Sequence, residues 1–190
     1  VALLGRTLCS HTSSSELAIR GERLWERKIL RKAQSLGESF RWHPDKTVLI
    51  TGGLGSLGRQ LTKWLIQNHG VTHIVLTSRA GMDAPGADAF VEQASSMGAT
   101  LKVVACDLAD SESVEAIVEK IGSKHPLDVV CHLAGRVDDA LLTAQSVERF
   151  ENVMDPKWKG AWHLHEATQE LNLSGFILYS SIAGMIGNAG

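Results

Sequence analysis

The stretch Thr47-Val48-Leu49-Ile50-Thr51-Gly52-Gly53-Leu54-Gly55-Ser56-Leu57-Gly58 decides the fold. A short β-branched and aliphatic run ends in a glycine-rich turn, and a helical period over 57–69 follows it. Gly53, Gly55 and Gly58 stand at Gly-x-Gly-x-x-Gly spacing in this strand-to-helix context. Glycines there let the backbone turn tightly and approach a pyrophosphate, whose charge meets the free amides and positive dipole end of the following helix. Gly53 and Gly58 also fit the spacing of a P-loop, but Arg59-Gln60 stand where Lys and Ser or Thr would contact phosphate and Mg²⁺. Thr51, Gly52, Gly53, Leu54, Gly55, Ser56, Leu57 and Gly58 are therefore expected to form a dinucleotide-binding loop.

Working outward, the same kind of apolar run recurs at 73–77, 101–105, 128–133 and 175–180. Helical patterns fill the intervals at 87–97, 111–121 and 147–171, the last jogged at Pro156. Strands that read as continuous apolar runs are buried on both faces, and helices of this length between them demand parallel crossovers. The predicted fold is α/β, a doubly wound parallel sheet of Rossmann type.

Residues 1–45 do not follow this unit. They are polar, carry a basic stretch over 20–32 and show no period until 24–30, which suggests a remnant of a separate element plus a linker ending at Pro44. The chain opens without Met or a basic leader and closes in a run of small residues, so a piece of a longer protein is expected.

With 190 residues, 44% hydrophobic and 21% charged, the composition suits a globular domain with a real core. A formal net charge of -2 offers no general attraction for a polyanion, so no nucleic-acid partner is expected. The apolar runs fall far short of the roughly 20 residues of a membrane helix. Cys9, Cys106 and Cys131 are odd in number and widely spaced, which favours reduced thiols in the cytoplasm over a disulfide framework or a zinc site. His163, His165 and Glu166 suggest a zinc protease helix, but that motif needs a histidine where Gln169 stands. The scattered tryptophans are expected to pack cores.

The second strand distinguishes the dinucleotides. NAD is held by an acidic residue about 20 positions past the loop, whereas here Leu76-Thr77-Ser78-Arg79 puts Arg79 21 residues beyond Gly58. Ser78 can hydrogen-bond and Arg79 can pair with a 2′-phosphate, which favours NADPH. In Cys106-Asp107-Leu108-Ala109-Asp110, Asp107 either accepts from the adenine amino group or caps the helix beginning near Ser111. In His132-Leu133-Ala134-Gly135, small residues stand where a cofactor would pass closely, and His132 reads as a strand residue.

These motifs, in this order, resemble the short-chain dehydrogenase/reductase superfamily. Within it they are similar to the ketoreductase domains of polyketide synthases and animal-type fatty acid synthases. Pro156-Lys157-Trp158-Lys159-Gly160-Ala161 and Tyr179-Ser180-Ser181-Ile182-Ala183-Gly184 extend the match over 46–190, and Glu16-Leu17-Ala18-Ile19-Arg20 looks like the end of the structural subdomain that precedes it. The resemblance implies NADPH-dependent reduction of a β-ketoacyl thioester to the β-hydroxyacyl thioester. The substrate would hang on the phosphopantetheine arm of an acyl carrier protein, with other synthase domains as neighbours.

It further implies that Ser181 orients the carbonyl and that Lys157 depresses the pKa of a catalytic tyrosine and contacts the cofactor, with Lys159 as its nearest rival. Asp107 and Leu108, Ala134 and Gly135 would line the cofactor. Val137-Asp138-Asp139 resembles the Leu-Asp-Asp marker of B-type enzymes, with Asp139 governing stereochemistry, and Ile186 replaces the Trp of A-type enzymes. The family's tyrosine and asparagine fall beyond Gly190, and Tyr179 cannot replace the former because Ala183 stands where a lysine would be needed. By itself the chain is expected to be inactive. An extended short-chain enzyme acting on nucleotide sugars, which Gly52, Gly55 and Gly58 also fit, and a non-catalytic ketoreductase remnant are the other readings.

Overall fold

A computed structural model of the chain describes residues 17–26 and 40–186, together with Leu4, Gly5 and Thr7. The expectations for Cys9, for Glu16, for the basic stretch past Glu26 and for the small residues past 186 lie outside the described residues. The chain divides into two units, 1–40 and 41–190. In the first, β1 (Leu17–Arg20) and β2 (Arg23–Glu26) pair antiparallel with Arg20 opposite Arg23.

The second unit runs β3 (Thr47–Thr51), α1 (Ser56–His69), β4 (His73–Ser78), α2 (Ala87–Ser96), β5 (Thr100–Ala105), α3 (Ser111–Lys120), β6 (Leu127–His132), α4 (Val147–Met154), α5 (Gly160–Thr168), β7 (Gly175–Leu178) and the one-turn α6 (Ala183–Ile186). A π-helical turn, Asp155–Lys159, joins α4 to α5. This is the jog that the sequence pattern places at Pro156. The sheet order is β5-β4-β3-β6-β7, and every neighbouring pair is parallel. The chain winds outward from β3 to β5, then returns across β3 to continue in the opposite direction. A crevice therefore opens beyond the carboxyl ends of β3 and β6, where the winding reverses.

Alternate residues of β3 supply the two faces of the sheet. Val48 and Ile50 pack with Leu65, Leu76 and Phe90 under α1 and α2. Leu49 packs with Val75, Val130, Val114 and Leu164 under α3 and α5. Each such aliphatic side chain contributes roughly 2 kcal/mol by leaving water. Burial on both faces holds for β3 and β6, whose every residue is buried. It does not hold for β5 and β7, which mix exposed positions with buried or half-buried ones. Among the described residues those strands are the outermost of the sheet, and the apolar runs of the sequence do not say how the strands are ordered.

Two other expectations change. Trp25, Trp64, Trp158 and Trp162 are exposed rather than in cores. Trp42 stands edge-on to Trp64 with ring centroids 6.3 Å apart. Trp158 and Trp162 are one helical turn apart and share a face, but periodicity alone cannot tell a buried face from an open one. Residues 41–45, read from sequence as linker, belong to the second unit: Pro44 O accepts from Thr72 N at 3.1 Å, and His43 reaches Asp128. In β6 the register with β3 steps from Leu127 opposite Thr47 to Val129 opposite Val48, so Asp128 occupies a bulge.

Candidate functional site

The predicted loop residues converge at the carboxyl edge of the sheet. A cleft of about 670 Å³ is lined there by Gly52, Gly55, Ser56, Leu57 and Gly58 of the loop. Ser78 and Arg79 after β4, Asp107 and Leu108 after β5, and Ala134 and Gly135 after β6 complete it. These groups are far apart in sequence, and parallel register brings them together because every strand ends at the same edge.

The glycines divide the labour differently from the motif's outline. Gly52 makes the tight turn, with φ 63 in the left-handed region, and a Cβ there would meet Ala134 Cα at 2.9 Å. Gly53 does not line the cleft; it packs on β4, where a Cβ would meet Leu76 Cδ2 at 2.6 Å. Leu54 turns toward the core under α1 and α2. Gly58 packs against Gly53, at 2.6 Å for the same hypothetical atom. Gly55 is the N-cap of α1 and provides no side-chain cap. The first amides of α1 therefore open toward the cleft unpaired by a side chain, an arrangement that fits an anionic pyrophosphate.

Thr51 is fully buried beneath the loop instead of lining the cleft. Its Oγ1 accepts hydrogen bonds from Leu133 N and Ala134 N, both at 3.2 Å, and lies 2.8 Å from His132 Nδ1. The other ring nitrogen, Nε2, bonds the carbonyl of Lys157 at 3.0 Å. Burial pushes the His132 pKa below the usual histidine range, with the Lys157 and Pro156 backbone opposing in part.

Lys157, Ser181 and Asp139 stand outside the lining of the cleft. The Lys157 stem runs against Gly135, where a Cβ would meet Lys157 Cε at 3.2 Å. Lys159, its rival, is paired with Asp155 Oδ1 at 2.9 Å. Ser181 is exposed after β7, and its Oγ accepts from Ala183 N at 3.1 Å. Asp107 is not the cap of α3. That role falls to Asp110, which accepts from Glu112 N at 3.2 Å and from the Ser113 hydroxyl; these bonds lower its pKa. Asp107 instead closes its own turn, accepting from Ala109 N at 3.0 Å, and faces the cleft.

Several residues have roles that the sequence did not suggest. Arg59 donates from Nε to Leu54 O at 2.8 Å and from its two terminal nitrogens to Gly86 O and Pro85 O, tying the loop to the start of α2. Arg149 of α4 donates to Asp138 Oδ1 and to Asp139 O at 3.2 Å, so it gathers in the Val137–Asp139 loop while leaving the Asp139 carboxylate outside that clamp. Asn152, Asp155 and Pro156 contribute the cleft wall nearest the π turn. The jog at Pro156 was the available signal for the last group; Arg59 carries none, since its acceptors are backbone carbonyls. His163, whose helix lacks the further histidine of a zinc motif, donates from Nδ1 to Leu108 O at 2.9 Å. Cys106 and Cys131 are free and buried, and burial pushes their thiols up to about 11 and about 12.

A parallel sheet with a glycine turn at the reversal of its winding defines a doubly wound, dinucleotide-binding class of fold. A protein-family model described as the KR domain matches residues 46–190. Over 147 residues, 77% of this chain, the sequence is 46% identical to the polyketide synthase GfsB of Streptomyces halstedii. It is 43% identical over 144 residues to the mycoketide-CoA synthase of Mycobacterium tuberculosis. Among solved structures, A-type ketoreductases from a modular polyketide synthase superpose with a TM-score of 0.89 at 35% identity, over 98% of this chain and 40% of theirs. The chain belongs to the ketoreductase-domain family of polyketide synthases. It spans only 3% and 4% of the two synthases it matches. No helix among the described residues is long and apolar enough to cross a membrane.

Proposed function

We propose that the domain carries out the NADPH-dependent reduction of a β-ketoacyl thioester to a β-hydroxyacyl thioester, within a polyketide synthase whose acyl carrier protein presents the substrate. The observation that carries this reading is the single cleft uniting the uncapped start of α1, Ser78-Arg79, Asp107 and Ala134-Gly135, with the Lys157 stem against its wall. Arg79 is exposed on this cleft, where it can pair with a 2′-phosphate that a carboxylate would repel. A reduced nicotinamide held by these residues would supply hydride for the β-carbonyl carbon.

The chain's own residues prepare the carbonyl oxygen for a proton. Ser181 donates a hydrogen bond to it and stabilises the negative charge that develops. Lys157, as a nearby cation, favours the ionised form of the phenol that gives up that proton. The donor in this reading is the tyrosine that the family's mechanism uses. Asp139 guides B-type stereochemistry. What supports this is that Arg149 binds the Asp139 carbonyl while Asp139 itself stays exposed.

The test is turnover of a model β-keto thioester by the ketoreductase in its synthase, with NADPH and NADH compared and the hydroxyl configuration determined. Loss of reduction in Lys157→Ala and in Ser181→Ala is expected. Unchanged turnover in either removes its assignment, and the A-type product removes Asp139 from stereocontrol.

A further inference from the structure

The buried histidine of β6 has no part in the chemistry above, yet it touches both halves of the site. We propose that His132 is the positioning residue for Lys157, holding the π turn in register with the base of the glycine loop. The proposal rests on the assignment of the cationic role to Lys157.

The proton positions in this network are determined by counting. A carbonyl oxygen only accepts, so His132 Nε2, 3.0 Å from the Lys157 carbonyl, carries the hydrogen. The neutral ring is then an acceptor at Nδ1, and the Thr51 hydroxyl 2.8 Å away donates to it. That leaves the lone pairs of Thr51 Oγ1 to Ala134 N and to Leu133 N, which also donates to Thr51 O at 3.3 Å. Only one tautomer satisfies every group.

The π turn gains an external donor there. The amide of Gly160 is shared between the carbonyls of Asp155 and Lys157, and the ring N–H adds a second donor to the Lys157 carbonyl from outside the helix. The ring also has a place reserved for it. A Cβ on Gly160 would stand 3.2 Å from His132 Cε1 and 3.0 Å from Leu108 Cβ, so a side chain at the start of α5 would push on the imidazole.

The Lys157 stem is referenced to the same anchor by a second route. It lies against Gly135, and the preceding amide, Ala134 N, is one of the two that Thr51 holds. Thr51 thus sets the carbonyl of Lys157 through His132 and the path of its side chain through Ala134-Gly135. A shift of the imidazole moves the ammonium relative to the cleft without unfolding the sheet.

Two substitutions separate this role from simple packing in the intact ketoreductase. His132→Asn keeps an acceptor near Thr51 but is too short to reach the Lys157 carbonyl, whereas His132→Gln extends an amide N–H toward the Nε2 position. The Asn variant is expected to lose kcat by roughly 100-fold with an unchanged KM for the thioester, as a displaced catalytic group does. NADPH affinity, read by cofactor fluorescence, should weaken in the same variant by roughly tenfold. The Gln variant should recover most of both. Equal turnover and equal NADPH affinity in the two variants overturn the proposal. Should the Asn variant fail to fold, Gly160→Ala displaces the ring from the other side; a depressed kcat supports the role and a wild-type kcat overturns it. Lys157→Ala distinguishes the two levels of the argument. If it leaves turnover and NADPH affinity intact, the assignment of Lys157 falls and takes the positioning role with it. If it removes turnover while the Asn and Gln variants behave alike, the positioning role alone falls.

Discussion

His43 and Asp128 are separated by 85 positions in the chain and meet at 2.8 Å. The Asp128 side chain is 2% exposed, and Lys46 Nζ at 3.0 Å and Ser174 Oγ at 2.6 Å complete its set of donors. One buried carboxylate at the bulge of β6 thereby ties the entry of the domain to the residue before β7. Burial alone would raise its pKa, but hydrogen bonds from Ser174, His43 and Lys46 and the Lys46 charge outweigh it and hold the carboxyl below the usual value.

Asp128→Ala should therefore destabilise the domain by about 3 kcal/mol, because it removes charge-assisted bonds and leaves Ser174 without its acceptor. The measurement is denaturant unfolding of the domain at neutral pH. A loss below about 1 kcal/mol would show the hub to be solvated rather than structural. Since the folded pKa lies below the unfolded one, this contribution is complete above the usual carboxylate range and fades as pH falls through the lowered value.

His132 gives the opposite end of the acid response. Its folded pKa lies below the unfolded value near 6.5, so between the two the unfolded chain binds the extra proton. Stability contributed by the neutral ring is present above about pH 6.5 and declines as pH drops below it. Thermal unfolding across pH 5 to 8 should show Tm falling on the acid side, and the fall should shrink in His132→Gln. An equal pH slope in that variant assigns the effect to other groups.

Gly52 and Gly55 should fail in different ways. Gly52→Ala forces a left-handed φ on a residue with Cβ and drives that atom to 2.9 Å from Ala134 Cα, so a loss of about 3 kcal/mol and a lower Tm are expected. A Cβ on Gly55 meets only Gly52 O, at 3.2 Å. Gly55→Ala should fold with nearly wild-type Tm yet bind NADPH at least about tenfold more weakly, because the methyl group occupies the approach to the α1 amides. Matched affinities for wild type and Gly55→Ala would place the phosphates elsewhere.

Arg79→Ala should weaken NADPH binding by roughly 10- to 100-fold and leave NADH binding nearly unchanged, since only the 2′-phosphate is lost as a partner. Equal weakening toward both dinucleotides would assign Arg79 to the loop's shape instead of to phosphate recognition.

What the sequence made legible were the features that repeat or stay local. The apolar runs, the helical periods between them, the glycine loop and the jog at Pro156 all recur in the structure because each is decided within a few residues. The exposed positions of β5 and β7 were hidden, because burial depends on strand order and on what packs beside each strand. Asp128 read as one polar residue at the start of an apolar run, and nothing nearby marked it as the meeting point of His43, Lys46 and Ser174. Arg59 and Arg149 were equally silent, because they bind mainly carbonyls that every residue possesses. For the cleft, the residues at strand ends were readable and the α4 wall was not. The choice of Asp110 over Asp107 as the cap of α3 needed the actual start of the helix.

The π turn at Asp155–Lys159 also sets an angular offset. An α-helix advances about 100° per residue, so the one extra residue that a π turn accommodates puts α4 and α5 out of phase with each other by about that angle. The two segments can then address different neighbours, with Asn152 on the cleft and Leu164 in the core beneath the sheet. Deleting one residue between 155 and 159 would restore a continuous helix, and in doing so would rotate one of those faces away from its partner. The irregular stretch is a phase shifter, and a more regular helix there would be the less useful one.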